Sequence, residues 1–344
     1  MAKIKPSWAV ILTGGVFGIF FALLMKLGNP SNMGICAICF ARDIAGALGL
    51  HKITNLSYLR PEIIGFILGA CIVGLIAKEF KSQGGSSPIL RFVISAFVAI
   101  GALVFLGCPI RMIGRLAGGD PTALVGLLGL IVGVWIGAIF LKTGFTLGRA
   151  QEVNKANGWV MPIFALFMLV LLLAGAPFIT LNPKGHAPIF ISLAVGLIIG
   201  ALAQRSRLCF VGGIRDIFLI KDMHLFQGIG AFFIFCLVMN LLLGQFKPGA
   251  YPVAHTGHLA SFFGMVVVGW GSVMIGGCPF RQTILAGYGN TDSGISVLGM
   301  LVGAAFAHNF QLAGSPSGVP VNGIIAVSIG IILFLVISFT NRVR

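Results

Sequence analysis

The stretch "VMIGGCPFRQ" (273–282) decides the fold because it has a near copy, "LVFLGCPIRM" (103–112), earlier in the chain. Each copy ends an apolar run with Gly-Cys-Pro and places an arginine two residues after the proline. The two Gly-Cys-Pro motifs start at Gly107 and Gly277. A repeated motif of this kind indicates that the chain is built from two related halves.

Each copy predicts the start of a short helix. Proline suits the first turn of a helix, where its missing N–H is not needed. We therefore expect helices that begin at Pro109 and Pro279, with the thiols of Cys108 and Cys278 capping them. The free N–H groups at a helix start attract anions. Two arginines in these helices add charges that stay protonated at any depth in the membrane: Arg111 and Arg281.

The composition places the chain in a lipid bilayer. Of 344 residues, 58% are hydrophobic and only 9% are charged, whereas soluble proteins carry about 25% charged residues. The net charge of +15 does not indicate a nucleic-acid partner, because the basic residues lie mostly between apolar runs, as in the cytoplasmic loops of membrane proteins. We therefore predict an all-α polytopic membrane protein.

Apolar runs of about 20 residues predict ten transmembrane helices. They lie at about 8–27, 61–79, 89–107, 121–143, 159–178, 188–204, 225–244, 258–277, 292–310 and 321–340. Four further segments are too short or too polar to span the membrane. We interpret them as half-helices or re-entrant elements, which are tolerated only where protein covers them or where they line a cavity; they lie at about 35–50, 108–118, 207–221 and 278–289.

A second pair of motifs supports the internal repeat. "GICAICFARD" (34–43) aligns with "SRLCFVGGIRD" (206–216), so Cys36 corresponds to Cys209. We predict one membrane domain with a first half at 1–178, a linker at 179–187 and a second half at 188–344. Because each half holds five spans, the second half enters the membrane from the opposite side. This is an inverted repeat, which in transporters places the substrate site near the midplane.

The distribution of lysine and arginine predicts the orientation. Placing the N-terminus in the cytoplasm puts most of these residues on the inner side, as the positive-inside rule requires. Lys3 and Lys5 precede an apolar run without a small-residue cleavage site, so we interpret 8–27 as a retained span. We predict a multi-pass protein of the inner (plasma) membrane with both termini in the cytoplasm.

Several polar residues of the short elements have structural interpretations. Asp120 and Asn290, or Thr291 in place of Asn290, are typical N-caps of the helices that follow. The two Arg-Asp pairs are interpreted as structural. Because adjacent helical residues do not face each other, we expect each ion to pair elsewhere; these residues are Arg42, Asp43, Arg215 and Asp216.

The residue types favour transport of an anion. The chain has only eight acids, and Glu62, Glu79 and Glu152 fall near span ends. A cation path would need acidic rings or carbonyls, whereas thiols suit a partner that contains sulfur or selenium. The Cys-x-x-Cys at 36–39 leaves open an intramembrane thiol enzyme, a sulfurtransferase or disulfide oxidoreductase. However, Cys39 aligns with Gly212, so the second half has no such pair, and no His or Cys cluster predicts a metal or other cofactor.

The paired cysteine motifs, "RSRLCF…IRD" and "GGCPFRQ…GYGN" resemble the YeeE/YedE family of sulfur transport proteins over essentially the whole chain. The resemblance implies a transporter and not an enzyme, in which cysteines along a central hourglass pass thiosulfate inward. It implies four path thiols, which are Cys36, Cys108, Cys209 and Cys278. "GCPIRM…RLAGGD" with "GGCPFRQ" resembles the subgroup described as selenium transporters, because arginine follows Cys-Pro.

These resemblances give an expected function. We expect uptake of a small selenium- or sulfur-containing anion, with a selenium compound favoured and thiosulfate as the alternative. No G-x-x-x-x-G-K-[ST] motif for ATP occurs. A soluble sulfur- or selenium-carrier protein on the cytoplasmic side could consume the substrate. A membrane subunit that serves another protein stays open as a further alternative.

Overall fold

The structure, a computed structural model, describes residues 8–182 and 184–343. Lys3 and Lys5, which entered the orientation argument, lie outside the described residues. In that part of the chain the fold consists of ten long and four short α-helices, with a single two-stranded sheet. The prediction of an all-α polytopic membrane protein is confirmed.

The ten long helices match the ten predicted spans. In chain order they are α1 (Trp8–Lys26), α3 (Pro61–Ile76), α4 (Pro88–Phe105), α6 (Thr122–Lys142), α7 (Lys155–Ala174), α8 (Ile189–Ser206), α10 (His224–Leu242), α11 (His258–Met274), α13 (Thr291–Asn309) and α14 (Val321–Thr340). The four short ones are α2 (Ala37–Ala47), α5 (Pro109–Ala117), α9 (Gly212–Ile220) and α12 (Pro279–Gly287). A nine-residue helix is only about 14 Å long and cannot cross a bilayer.

One long helix differs from the predicted spans in composition. Nine helical segments of the described chain are long and apolar enough to cross a membrane, and α13 is not among them. Its first turn carries Asp292 and Ser293, and it ends on His308 and Asn309. Most of α13 is nevertheless buried, packed against α4, α12 and α2. Asp292 and Ser293 are therefore covered by protein, whereas His308 is half-buried and Asn309 is exposed.

Small connecting elements close the ends of the bundle. A 3₁₀ turn (Thr54–Leu56) precedes α3, and β1 (Gln83–Gly84) pairs antiparallel with β2 (Gln151–Glu152). Asp292 accepts hydrogen bonds from the backbone N–H groups of Gly85 and Ser86. It also lies 3.5 Å from the Arg91 guanidinium. These contacts fix the start of α13 against the start of α4.

Each long helix of the core packs against a helix from the other half. The pairs are α1 with α10, α3 with α8, α4 with α13 and α6 with α11. A Cβ on Gly14 would meet the Gly228 carbonyl oxygen at 2.0 Å, and one on Gly18 would meet the Phe232 carbonyl oxygen at 2.4 Å. Contacts four residues apart on both helices mean that α1 and α10 run parallel, and the glycines let the backbones touch.

The same register holds between α3 and α8. A Cβ on Gly196 would meet Glu62, and one on Gly200 would meet Phe66, so these helices also run parallel. If α1 and α3 cross the membrane in opposite directions, α8 therefore runs opposite to α1. This packing is what an inverted repeat requires. The boundaries of the halves, the linker and the orientation in the membrane stay predictions.

Candidate functional site

The starts of α2 and α5 meet at one cysteine sulfur. Cys36 is the N-cap of α2, and its Sγ accepts the backbone N–H of Cys39 at 3.3 Å. The same sulfur accepts the backbone N–H of Cys108, the N-cap of α5, at 3.4 Å. All three cysteines are fully buried. We call Cys36, Cys39, Cys108 and Arg111 the first thiol site.

The second half repeats this arrangement. Cys209 Sγ accepts the backbone N–H of Gly212, the first residue of α9, at 3.2 Å. It also accepts the backbone N–H of Cys278, the N-cap of α12, at 3.4 Å. We call Cys209, Cys278 and Arg281 the second thiol site. The structure thus groups the four predicted path thiols into two equivalent pairs, which is what the repeat predicts.

The capping thiols are not the ones that the sequence predicted. Pro109 and Pro279 do occupy the first helical positions of α5 and α12. However, neither Cys108 nor Cys278 makes a side-chain cap hydrogen bond in the described structure. Instead, the sulfurs of Cys36 and Cys209 accept the backbone N–H groups at the starts of α5 and α12. The thiols of the Gly-Cys-Pro motifs are therefore left without a helix-capping role.

The glycines of the two motifs make room for the arginines. A Cβ on Gly107 would lie 3.1 Å from Arg111 Cδ, and a Cβ on Gly277 would lie 3.1 Å from Arg281 Cγ. In both sites the aliphatic part of the arginine therefore folds back over the turn that carries the cysteine. This contact explains why the motif needs glycine before cysteine and arginine three residues after it.

Arg111 is fully buried and is held by uncharged acceptors. It donates to the carbonyl oxygen of Asn32 at 2.9 Å and to that of Val253 at 2.8 Å. A third donor reaches Cys39 Sγ at 3.4 Å. No carboxylate lies within ion-pair distance of it among the described residues. Its charge is therefore balanced only by dipoles, which leaves it able to attract an anion.

Both carbonyls that bind Arg111 come from residues with left-handed backbones. Asn32 has φ 56° and Val253 has φ 55°. Asparagine tolerates this conformation, but for a β-branched residue such as valine it is a true outlier. Such strain costs about 1–3 kcal/mol and persists where surrounding contacts hold it. Sequence reasoning missed both residues, since no local pattern marks Val253.

Arg281 has a more open environment than Arg111. It is partly exposed, and the hydrogen bond found for it runs from its guanidinium to the Ala203 carbonyl oxygen at 3.3 Å. Because fewer protein groups hold it, its guanidinium is freer to reorient toward a ligand. The two arginines, which the sequence presented as equivalent, therefore differ in how tightly the protein holds them.

A cavity of about 380 Å³ adjoins the first thiol site. Its walls include Asn32, Lys247 and Pro252, next to the two carbonyls that hold Arg111. The remaining lining residues are Met25, Ser31, Gly118, Gly244, Gln245 and Ala250. The cavity has both polar and apolar walls and carries one lysine, Lys247.

A cluster of aromatic rings adjoins the second thiol site. Phe210 and Phe280 follow its two cysteines closely in the chain, and both rings pack on Phe17 of α1, at 5.9 and 5.1 Å between centroids. Phe66 and Phe232 complete the cluster, and all five side chains are fully buried. The first site has Ala37 and Ile110 at the corresponding positions. The second site therefore carries two aromatic side chains where the first has smaller aliphatic ones.

The Arg-Asp pairs contradict the expectation that adjacent residues would not meet. Arg42 binds Asp43 at 2.6 Å, and Arg215 binds Asp216 at 2.8 Å. The long guanidinium side chain folds back onto its neighbour, which the argument from helix geometry overlooked. Asp43 also accepts from Arg60, at 2.7 Å, so one buried carboxylate lies between two arginines.

The remaining predicted polar residues bind close to their own helices. Asn290 is the N-cap of α13, and its Oδ1 accepts the N–H of Ser293 at 2.8 Å. The prediction for Asp120 is wrong, because the N-cap of α6 is Pro121. Asp120 accepts the N–H of Thr122 at 2.9 Å and also pairs with Arg115 at 2.7 Å. Asn290 therefore fixes the start of α13, and Asp120 joins the end of α5 to the start of α6.

Comparison with known proteins agrees with the sequence motifs. Residues 205–338 match the protein family described as sulphur transport. The chain is 31% identical over 123 residues to the thiosulfate transporter TsuA of Spirochaeta thermophila, an alignment that covers 34% of this chain and 35% of that protein. It is 29% identical over 131 residues to the thiosulfate transporter TsuA of Escherichia coli, covering 36% and 35%.

The resemblance to a sulfur transport family is thereby confirmed for residues 205–338, and its extension over the first half stays a prediction. The aligned part spans about a third of the length of either curated relative. The matched family region includes the second thiol site, with Cys209, Cys278 and Arg281.

Proposed function

We propose that this chain, whose residues 205–338 match the sulphur transport family, moves a small sulfur- or selenium-containing anion across the inner membrane. The observation that carries the proposal is the pair of equivalent thiol sites, one in each half of an inverted repeat. Each site combines buried thiols, N–H groups at helix starts and an arginine. A doubled site of this kind suits a path approached from both sides.

In our proposal the two thiols of each pair have different tasks. Cys36 and Cys209 each accept two backbone N–H groups, which occupy the sulfur lone pairs and orient the side chain. Cys108 and Cys278 make no side-chain cap bond in the described structure, and in our proposal they donate S–H to the substrate. In our proposal these thiols stay protonated during transport, because a thiolate would repel the anion.

The arginines supply the positive field that an anion needs in a low-dielectric interior. In this proposal the anion first meets Arg111 and Cys108 from the outer side and leaves past Cys278 and Arg281 on the inner side. Gly107 and Gly277 permit the arginine stems to fold back, and Pro109 and Pro279 fix the helix starts. The other path thiols are Cys36 and Cys209. Both chain termini would face the cytoplasm.

Two substrate classes compete within this proposal. The two relatives are named as thiosulfate transporters, which makes thiosulfate the first anion to test. The arginine after Cys-Pro favours a selenium compound such as selenite, as the sequence motifs predicted. Both classes are small anions with a polarisable chalcogen atom, which suits a weak S–H donor. Their relative rates of uptake decide between them.

Energetics limit how uptake can proceed. An interior-negative membrane potential opposes each negative charge that enters by about 2.3 kcal/mol per 100 mV. The sequence contains no ATP-binding loop. Uptake therefore needs a coupled cation or rapid consumption of the substrate inside. A soluble sulfur- or selenium-carrier protein on the cytoplasmic side would serve the second purpose.

A thiol enzyme is the competing function. It would need a resolving thiol in each reactive site, but only the first site offers one, since Gly212 stands where Cys39 would be. The naming of both relatives as transporters also favours transport. Trapping a persulfide or mixed disulfide on Cys278 during turnover would instead favour the enzyme.

Reconstitution in liposomes tests the proposal directly. The purified chain is offered labelled thiosulfate, selenite and selenide in turn, and uptake is compared with that of protein-free liposomes. We expect uptake of at least one of them, and internal unlabelled substrate should accelerate the entry of label by counterflow. No uptake or counterflow of any of the three would overturn the proposal.

A further inference from the structure

One acid of this chain is buried without a charged partner. Of the eight Asp and Glu residues, Glu62 is fully buried and makes no ion pair in the described structure, which includes all eight. The others are either paired with an arginine or exposed to solvent. The paired acids are Asp43, Glu79, Asp120, Asp216 and Asp292, and the exposed ones are Glu152 and Asp222.

Glu62 has one satisfied and one free carboxyl oxygen. Its Oε1 accepts a hydrogen bond from Asn29 Nδ2 at 2.8 Å. Its Oε2 is buried and has no hydrogen-bond partner among the described residues. An ionised carboxylate with a single hydrogen bond is costly in a buried site, whereas binding a proton removes the charge. This oxygen therefore has the chemistry of a proton-binding site.

Two buried hydroxyls close to this corner are also unpartnered. Tyr58 precedes Glu62 by four residues, and its hydroxyl has no partner in the described chain. Ser192 Oγ is also buried without a hydrogen-bond partner in the described chain. Ser192 lies one turn before Gly196, and a Cβ added at Gly196 would meet the Glu62 backbone. A protonated Glu62 would have an O–H to donate, and a hydroxyl can accept it. Unpartnered buried groups of this kind need a functional explanation.

We propose that Glu62 binds the proton that is carried inward together with the anion. The inference rests on the transport function proposed above and names its coupling ion. The step is a simple protonation: the carboxylate takes one proton from the outer solution and releases it inside, and no redox change occurs. Each transported anion is then accompanied by one proton, so the entry of a monoanion such as hydrogen selenite is electroneutral, whereas the dianion thiosulfate carries one net negative charge inward.

A single loop connects Glu62 to the first thiol site. Asn29, which binds Glu62, also donates from Nδ2 to the Gly34 carbonyl oxygen at 2.7 Å, two residues before Cys36. Asn32 of the same loop provides a carbonyl that holds Arg111. A change in the charge of Glu62 is therefore transmitted through one short segment to both Cys36 and Arg111. This connection gives the proton and the anion a common structural element.

Few other ionisable groups face Glu62. Arg60 of the same segment donates to Asn29 Oδ1 at 3.4 Å and to Asp43 at 2.7 Å. His186 of the linker stacks on Tyr58 at 3.9 Å between ring centroids and is partly exposed, which connects this corner to the surface. Helix α8 carries no ionisable residue before Arg205.

The other helices packed against α3 place their charges elsewhere. Lys26, the ionisable residue of α1, is exposed, and so is Lys155, that of α7. Arg281 of α12 reaches the Ala203 carbonyl, about two turns along α8 from Gly196. Glu62 is therefore the fully buried ionisable group of this region that makes no ion pair in the described structure.

The test uses the full chain in proteoliposomes with labelled thiosulfate and labelled selenite. An acidic outside solution is set against a more alkaline interior, and accumulation is compared with counterflow at equal pH on both sides. For the wild-type chain we expect the pH gradient to drive accumulation at least tenfold above equilibrium. A trapped pH dye should report acidification of the interior with about one proton per anion.

Two variants with the same chemical change separate coupling from folding. Glu62→Gln should lose the pH-driven accumulation while retaining counterflow within about threefold. Glu152→Gln changes an exposed acid and should behave as the wild type does. Retained counterflow by Glu62→Gln shows that this variant is folded.

The outcomes distinguish the two proposals. Wild-type counterflow without any effect of the pH gradient, or without interior acidification, overturns the role of Glu62 and leaves transport standing. Full pH-driven accumulation by Glu62→Gln overturns it too. Absence of wild-type counterflow with every anion overturns the transport function and the coupling with it.

Discussion

The two thiol sites share one construction and differ in their surroundings. In each, a cysteine sulfur accepts N–H groups from the starts of two short helices, beside a glycine, a proline and an arginine. The first site adds a third thiol, a fully buried arginine and a loop that leads to Glu62. The second site adds a cluster of five aromatic rings.

Comparing the two sites separates the features that both halves share from the features that only one half has. In our proposal, the features kept in both sites bind the anion: thiols, helix N–H groups and a positive charge. The features found in one site only would set the direction and the control of the path. These are the buried acid Glu62 near the first site and the aromatic cluster next to the second.

The largest difference between the two halves should be in stability, when the equivalent acids Asp43 and Asp216 are each changed to asparagine. Asp43→Asn leaves two buried arginines, Arg42 and Arg60, without their carboxylate. Breaking a buried pair in this way costs about 3–5 kcal/mol. Asp216→Asn breaks a partly exposed pair and should cost no more than about 1 kcal/mol. Thermal unfolding of both variants in detergent measures the contrast, and equal losses would contradict it.

The arginines should show the next largest difference. Arg111→Met leaves the carbonyls of Asn32 and Val253 without their donor and should lower the free energy of unfolding by about 2 kcal/mol. Arg281→Met removes a partly exposed group with one carbonyl partner and should change stability much less. Both variants should lose transport, because each removes a positive charge from the path. Unfolding and uptake measured on the same preparations separate these effects.

The smallest effect should be the same in both sites. Gly107→Ala and Gly277→Ala each place a methyl group about 3.1 Å from an arginine stem, which has to shift by a few tenths of an ångström. We expect each variant to slow uptake by about threefold, since the arginine moves but keeps its charge. A tenfold larger effect in one site than in the other would show that the two turns are not equivalent.

The local parts of the fold could be predicted from the sequence. Proline marked the starts of α5 and α12, and Asn290 marked that of α13, because these preferences depend only on neighbouring residues. The repeat indicated which cysteines correspond. The contact of Cys36 with Cys108 followed from no local pattern, since 71 residues separate them in the chain and only the packed fold brings them together.

Other features depended on partners that the sequence does not reveal. Arg42 was expected to pair with a residue other than Asp43, but the Asp43 carboxylate binds both Arg42 and Arg60. Glu62 was noted only as an acid near a span end, and its burial without a charged partner became visible once α3 was packed against α8. Buried polar groups are determined by their surroundings, which explains why these expectations failed.

The central claim is that the two thiol sites act one after the other on the same anion. The most direct measurement is the uptake of labelled thiosulfate and selenite by proteoliposomes that contain Cys108→Ser, Cys278→Ser or both. Cys71→Ser, which changes a buried cysteine of α3 outside both sites, is the control and should keep wild-type uptake. If the two sites act in series, each single variant loses at least tenfold in uptake. The double variant then takes up no less than the more impaired of the two single variants. Full uptake by either single variant, or a partial loss in each that becomes complete only in the double variant, would contradict the account.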